Sequence, residues 1–185
     1  ITDEGSEGIG HYEHSKVLAY TGQWEESEKA LKVGEELKKK TLHIQGQGVI
    51  WSYRALCFLL MARDNPQSKI ENCKSAIECA KRALELADET AQKYYPTPRD
   101  YVRAHWLLGA AHRANWVSTG STSELTLAEE NLSKALNLCR QINAVDAEAD
   151  ILLDLARLRY AQGNFKDALE KASEALVITE RCGYV

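Results

Sequence analysis

The residues most able to do chemistry in this chain are its histidines, cysteines and glycines, and their spacing can be tested directly. His11 and His14 lie three apart with Glu13 between them. Two ligands at that spacing on a helix could share a metal ion, but such sites take three or four ligands and no third accompanies them. His105 and His112 are seven apart and share a helical face. They read as core histidines with hydrogen-bond partners. His43 falls at a helix start with no partner evident. No serine or cysteine stands where a histidine could activate it from a nucleophile loop. The segment Gly5-Ser6-Glu7-Gly8-Ile9-Gly10 is the densest glycine cluster. A phosphate loop needs a preceding strand and, in the Walker form, a Gly-Lys-Ser/Thr ending. The segment has neither and reads as a flexible leader, with residues 4–7 frayed. No catalytic residue, cofactor or metal is therefore expected, and the chain is not read as an enzyme.

Cys57, Cys73, Cys79, Cys139 and Cys182 show no paired spacing. Cys73 and Cys79 would point apart on one helix. A dispersed, odd set suggests reduced thiols in the cytoplasm, most of them small core hydrophobes. The net charge of −4 is mild, and the positive charge is scattered among Glu25, Glu26, Glu28, Glu35 and Glu36. A nucleic-acid partner would need a basic stripe, which argues against that class. Lys38, Lys39 and Lys40 end a helix, where cations suit the dipole, and read as a solvated group. No apolar run reaches the ~20 residues of a bilayer span. Residues 51–61 come nearest and are interrupted by Arg54. The start, Ile1-Thr2-Asp3-Glu4, has neither the basic nor the apolar region of a signal peptide.

These residues must be positioned by helices. Apolar residues recur at helical spacing almost throughout. The pattern predicts eight helices, at 6–20, 24–40, 44–62, 68–93, 98–116, 124–142, 145–162 and 165–182. In the seventh, Leu152, Leu155, Ala156 and Tyr160 mark one face. Gly163 supplies the positive φ that ends a helix cheaply, and Asn164 can cap the next. Ala168, Ala172 and Ala175 then share a face, where small side chains let two helix axes approach. Pro98 suits a first helical turn, and Thr122 or Ser123 can cap the sixth helix. Residues 64–68 and 118–123 read as longer connections.

The unit recurs. Gly22-Gln23-Trp24 with Ser27 repeats Gly163, Phe165 and Ala168, and Leu31 and Gly34 take the places of Ala172 and Ala175. Ala76, Ala80, Ala83 and Leu84 repeat the second-helix face, as do Ala128, Leu132, Ala135 and Leu136. Trp106-Leu107-Leu108-Gly109 looks like the aromatic-leucine-glycine signature of a first helix. This pattern resembles the tetratricopeptide repeat, a helix-turn-helix unit of about 34 residues. The resemblance is sharpest in the last quarter. It implies an all-α fold, a right-handed α-α superhelix of about four hairpins, with 1–185 a single domain and units at 6–40, 44–93, 98–142 and 145–182.

The family resemblance also implies a function. Such repeats hold protein or peptide partners, and the first helix of each pair lines the concave wall. That rule places Tyr12, Lys16, Tyr53, Arg103, Trp106, Arg113, Asp154, Arg157 and Tyr160 near a groove. The chain lacks the asparagines that the family pairs with lysine to grip a C-terminal carboxylate. Its long helices and its ending, Ile178-Thr179-Glu180-Arg181-Cys182-Gly183-Tyr184, resemble the C-terminal arms of prokaryotic STAND-type signalling ATPases. There the arm senses a ligand and restrains a nucleotide-binding module. Terminal repeats normally carry a polar outer face. The last helix is apolar, so further repeats are expected past Val185, with the chain a piece of a longer protein. Self-association through the terminal face is the alternative role.

Overall fold

The computed structural model describes residues 4–183. Eight α-helices form among them: α1 (Glu4–Tyr20), α2 (Trp24–Lys40), α3 (Ile44–Asp64), α4 (Lys69–Lys93), α5 (Pro98–Thr119), α6 (Thr122–Gln141), α7 (Val145–Ala161) and α8 (Phe165–Cys182). A short 3₁₀ turn, Pro66–Ser68, precedes α4. No helix among the described residues is long and apolar enough to cross a membrane.

Four of the seven connections share one geometry. After α1, α2, α6 and α7, one residue adopts the left-handed conformation: Gly22, Leu42, Asn143 and Gly163, with φ of 76°, 54°, 54° and 78°. In each, that residue's N–H bonds three positions back and the next N–H bonds five back, as in Gly163 to Tyr160 and Asn164 to Arg159. This closes the helix by satisfying its last carbonyls. Asn164 then accepts from the Asp167 N–H, as its sequence position predicts. His43 also caps, its Nδ1 accepting from the Gly46 N–H at 2.9 Å.

Each odd helix packs on the even helix after it, and each even helix on the next odd one. The odd helices also touch one another in order, α1 to α3 to α5 to α7. The even helices make no such contact among the described residues. The odd helices therefore form one layer and the even helices a second, splayed one. Glycines permit the closest approach. A Cβ at Gly109 on α5 would lie 2.6 Å from the Leu132 side chain and 2.8 Å from its backbone nitrogen.

Several local expectations are corrected. The glycine cluster is no leader: residues 4–10 lie inside α1, where Gly8 packs beneath the Lys38 side chain. Lys38 is accordingly buried rather than solvated, with its ammonium 5.9 Å from the Tyr12 ring centre. The predicted connection at 118–123 shrinks to Gly120 and Ser121. Ser118 and Thr119 stay helical because their hydroxyls bond the carbonyls of Ala114 and Asn115, four residues back. The sixth helix starts at Thr122 with Ser121 in the cap position, and neither Thr122 nor Ser123 caps it. His105 and His112 lie buried between α5 and α6, with Nδ1 on Asn131 at 2.8 Å and on Glu124 at 2.7 Å respectively. Burial holds His105 below the usual imidazole range, against the Asn131 hydrogen bond. Its Nε2 has no partner, so a second proton there would be a buried, unsatisfied donor. Four cysteines are buried free thiols, with Cys139 pushed up to about 11 by burial, and Cys182 is exposed.

Candidate functional site

The layer of odd helices presents a continuous groove with two adjoining cavities, of about 360 and 570 Å³. Tyr20 of α1, Leu56 of α3, Trp106 and Leu107 of α5, and Asp150 of α7 line both. Four helices far apart in sequence thus contribute to one concave surface.

The smaller cavity is organised around Asp154. Its carboxylate is buried and accepts three hydrogen bonds: from Trp106 Nε1 at 2.8 Å, from Arg113 at 3.1 Å and from Arg157 at 3.1 Å. Trp106 and Arg113 are two turns apart on α5, so both reach toward α7. Arg157 follows Asp154 by three residues and lies on the same helical face. One carboxylate thus holds two guanidinium groups, which leaves the cluster with net positive charge. The Arg157 side chain remains 60% exposed, so its other donors face solvent. The floor beside them is apolar, formed by Leu59, Leu60, Ala110, Val117 and Leu153.

The larger cavity is organised around Tyr53. Its hydroxyl donates to Glu13 at 2.6 Å. Lys16 and Arg103 stand 5.9 and 5.8 Å from its ring centre, within cation–π range. Burial and then the hydrogen bond to Glu13 raise the phenol well above its usual range. Arg103 also reaches Asp100 at 3.4 Å.

Asp150 joins the two cavities. It keeps contact with solvent, but the groove walls crowd it. That crowding, and then the charge of Asp154, raise its carboxyl above the ordinary value, against Lys16 and Arg157. Tyr20, across the groove, is raised by the same crowding and by Asp150 and Asp154.

Of the groove residues expected from sequence, Lys16, Tyr53, Arg103, Trp106, Arg113, Asp154 and Arg157 line the cavities. Tyr12 lines neither. It is buried edge-on against Tyr53, ring centres 5.6 Å apart, above Leu31, Val49 and Ile50. Tyr160 also lines neither and packs edge-on against Phe165 at 5.3 Å. Glu13, Tyr20 and Asp150 were missed. The signal was available for two of them: Tyr20 extends the Tyr12, Lys16 spacing by one turn, and Asp150 precedes Asp154 by one turn.

No model of a known protein family matches this chain, and no curated protein matches it.

Proposed function

We propose that this chain is a non-catalytic scaffold of the tetratricopeptide kind that binds a protein or peptide in the groove of its odd helices. Four hairpins, at 6–40, 44–93, 98–142 and 145–182, would stack into a right-handed superhelix. The recurring left-handed turn and the contacts along the odd helices support that architecture. The observation that carries the function is the groove: an apolar floor flanked by Trp106, Tyr20 and Tyr53, with Arg103, Arg113 and Arg157 held in fixed positions. Aromatic and arginine side chains over a concave apolar surface are the usual makings of a binding hot spot. Hydrogen bonds already hold Trp106, Tyr53, Arg103, Arg113 and Arg157, which lowers the ordering cost of binding. The free thiols fit a cytoplasmic setting.

Selection of peptides from a displayed random library tests this reading. Enriched peptides are expected to share a motif and to lose binding to a Lys16→Glu, Arg103→Glu double variant. Both side chains are partly exposed, and circular dichroism checks that the fold persists. Failure to enrich any sequence, or binding indifferent to the double variant, would sink the proposal.

A finer reading follows from the resemblance to signalling-ATPase arms. An occupied groove would favour one curvature of the stack and shift the parent protein between states by differential affinity. A parent gene without an upstream P-loop module eliminates it.

A further inference from the structure

The smaller cavity of the groove holds more positive donors than its own carboxylates accept. Arg113 and Arg157 share the single carboxylate of Asp154. The Arg113 Nε–H is buried and meets no acceptor among the described residues. Arg157 keeps most of its side chain in solvent. Lys69 lines the same cavity and has no ion-pair partner among the described residues. It opens α4, the end of a helix where the backbone dipole disfavours a cation and favours an anion. Arg63 also lines the cavity, but Asp64 answers it. Asp150, the other carboxylate there, forms no ion pair with any of these groups.

The surplus is local. In the larger cavity Lys16, Arg99 and Arg103 are matched in number by Glu13, Asp146 and Asp150. The chain as a whole carries a net charge of −4. A cavity short of negative charge in a negative chain does not follow from composition, and it selects an anionic occupant by charge complementarity. Its floor adds a second requirement. Leu59, Leu60, Ala110, Val117 and Leu153 offer an apolar surface beside the cations. The groove also runs on into the larger cavity, so it suits a chain passing through. Such a chain brings side-chain carboxylates to the cations, whereas its terminus lies elsewhere.

We propose that the partner is an acidic peptide segment, with one Asp or Glu side chain on Arg157 and Lys69 and a large apolar neighbour on the leucine floor. The proposal rests on the groove reading and names the chemistry of its ligand. Arg157 is already oriented by Asp154, so one face of its guanidinium is fixed and its remaining N–H groups are free to take a carboxylate.

Two displayed random libraries screened against the 185-residue chain test it, one lacking Asp and Glu and the other lacking Lys and Arg. The library lacking Lys and Arg is expected to enrich peptides with an acid beside Leu, Phe or another large apolar residue, and the acid-free library to enrich none. Fluorescence anisotropy then measures the best synthetic peptide. Changing its acid to the matching amide should weaken binding about 30-fold. Lys69→Gln with Arg157→Gln should weaken the acidic peptide about tenfold or more, and the amide peptide less than about twofold. Amidating the peptide's C-terminus should leave its affinity unchanged. Enrichment from the acid-free library alone overturns this inference and leaves the groove reading standing; enrichment from neither library overturns both. Equal losses of the acidic and amide peptides in the glutamine variant overturn the assignment to Arg157 and Lys69. A loss on amidation moves the recognised carboxylate to the terminus and overturns the side-chain assignment. A single-stranded oligonucleotide that displaces the labelled peptide better than unlabelled peptide does makes the cavity a phosphate site and overturns the proposal.

Discussion

Helices α2 and α8 enter through nearly identical turns and present nearly identical positions, yet they live in opposite environments. On α2, Trp24, Glu28, Leu31 and Glu35 form a half-acidic stripe that α3 covers; on α8 the aligned Phe165, Leu169 and Leu176 are apolar and exposed among the described residues. In α2, the acids are tolerated because Arg54 reaches both of them and lies 4.6 Å over the Trp51 ring. Burial alone would raise Glu35, but hydrogen bonds from Lys39 and Arg54 hold it below the usual carboxylate range. The difference teaches that the turn fixes where a stripe points, and that the neighbouring helix decides what residue types the stripe needs.

The comparison breaks most clearly at its leucines. Leu31→Ala should cost about 3 kcal/mol, because a fully buried side chain leaves a cavity. Leu176→Ala, at an exposed side chain, should change stability by less than about 0.5 kcal/mol. Urea midpoints at unchanged slope measure both. Equal losses at the two sites would mean that α8 is not bare.

The turns sharpen the comparison at smaller magnitude. Leu42, which closes α2, is left-handed and exposed, whereas Gly163, which opens toward α8, is a glycine in the same conformation. Leu42→Gly should stabilise by about 0.5–1 kcal/mol, the left-handed strain relieved less the added chain entropy. Gly163→Ala should destabilise by about 1 kcal/mol through conformation alone, since a Cβ there has nothing within 4 Å. Opposite signs in thermal unfolding would show that both turns obey one rule.

The smallest expected effect lies at the α5–α6 contact, away from both stripes. His105 is depressed in the folded state, so the unfolded chain binds its proton first as pH falls. The sign follows: stability is complete above the ordinary imidazole pKa of about 6.5 and is lost as pH drops through the lower folded value. A His105→Gln variant should lack that component when stability is followed from pH 7 to 5. An unchanged pH slope would show that the ring titrates normally in the fold.

Much of this architecture was readable from local pattern. The starts of α2, α3, α5, α7 and α8 and the ends of α1, α2, α4 and α8 fall on the residues that the spacing predicts. Gly22, Gly163 and Pro98 mark their boundaries by backbone geometry that belongs to the residue itself. Lys38 was not readable, because nothing near it in sequence announces that Gly8 and Tyr12 will close over its stem. Nor was the end of α5, where Ser118 and Thr119 look like loop residues until their hydroxyls fold back on the helix. Seven of the groove residues were legible only because they sit on odd helices. Their roles within the groove were not.

The amino-acid sequence by itself determined the helices, their order and the turns at Gly22 and Gly163, because those depend on residues within a few positions of one another. Only the tertiary structure decided the groove. Trp106 and Arg113 meet Asp154 across 48 and 41 residues, and Tyr53 meets Glu13 across 40. No periodicity spans such distances. These partners are chosen by which helices stack, and that choice follows from the burial of whole faces rather than from any short run of residues.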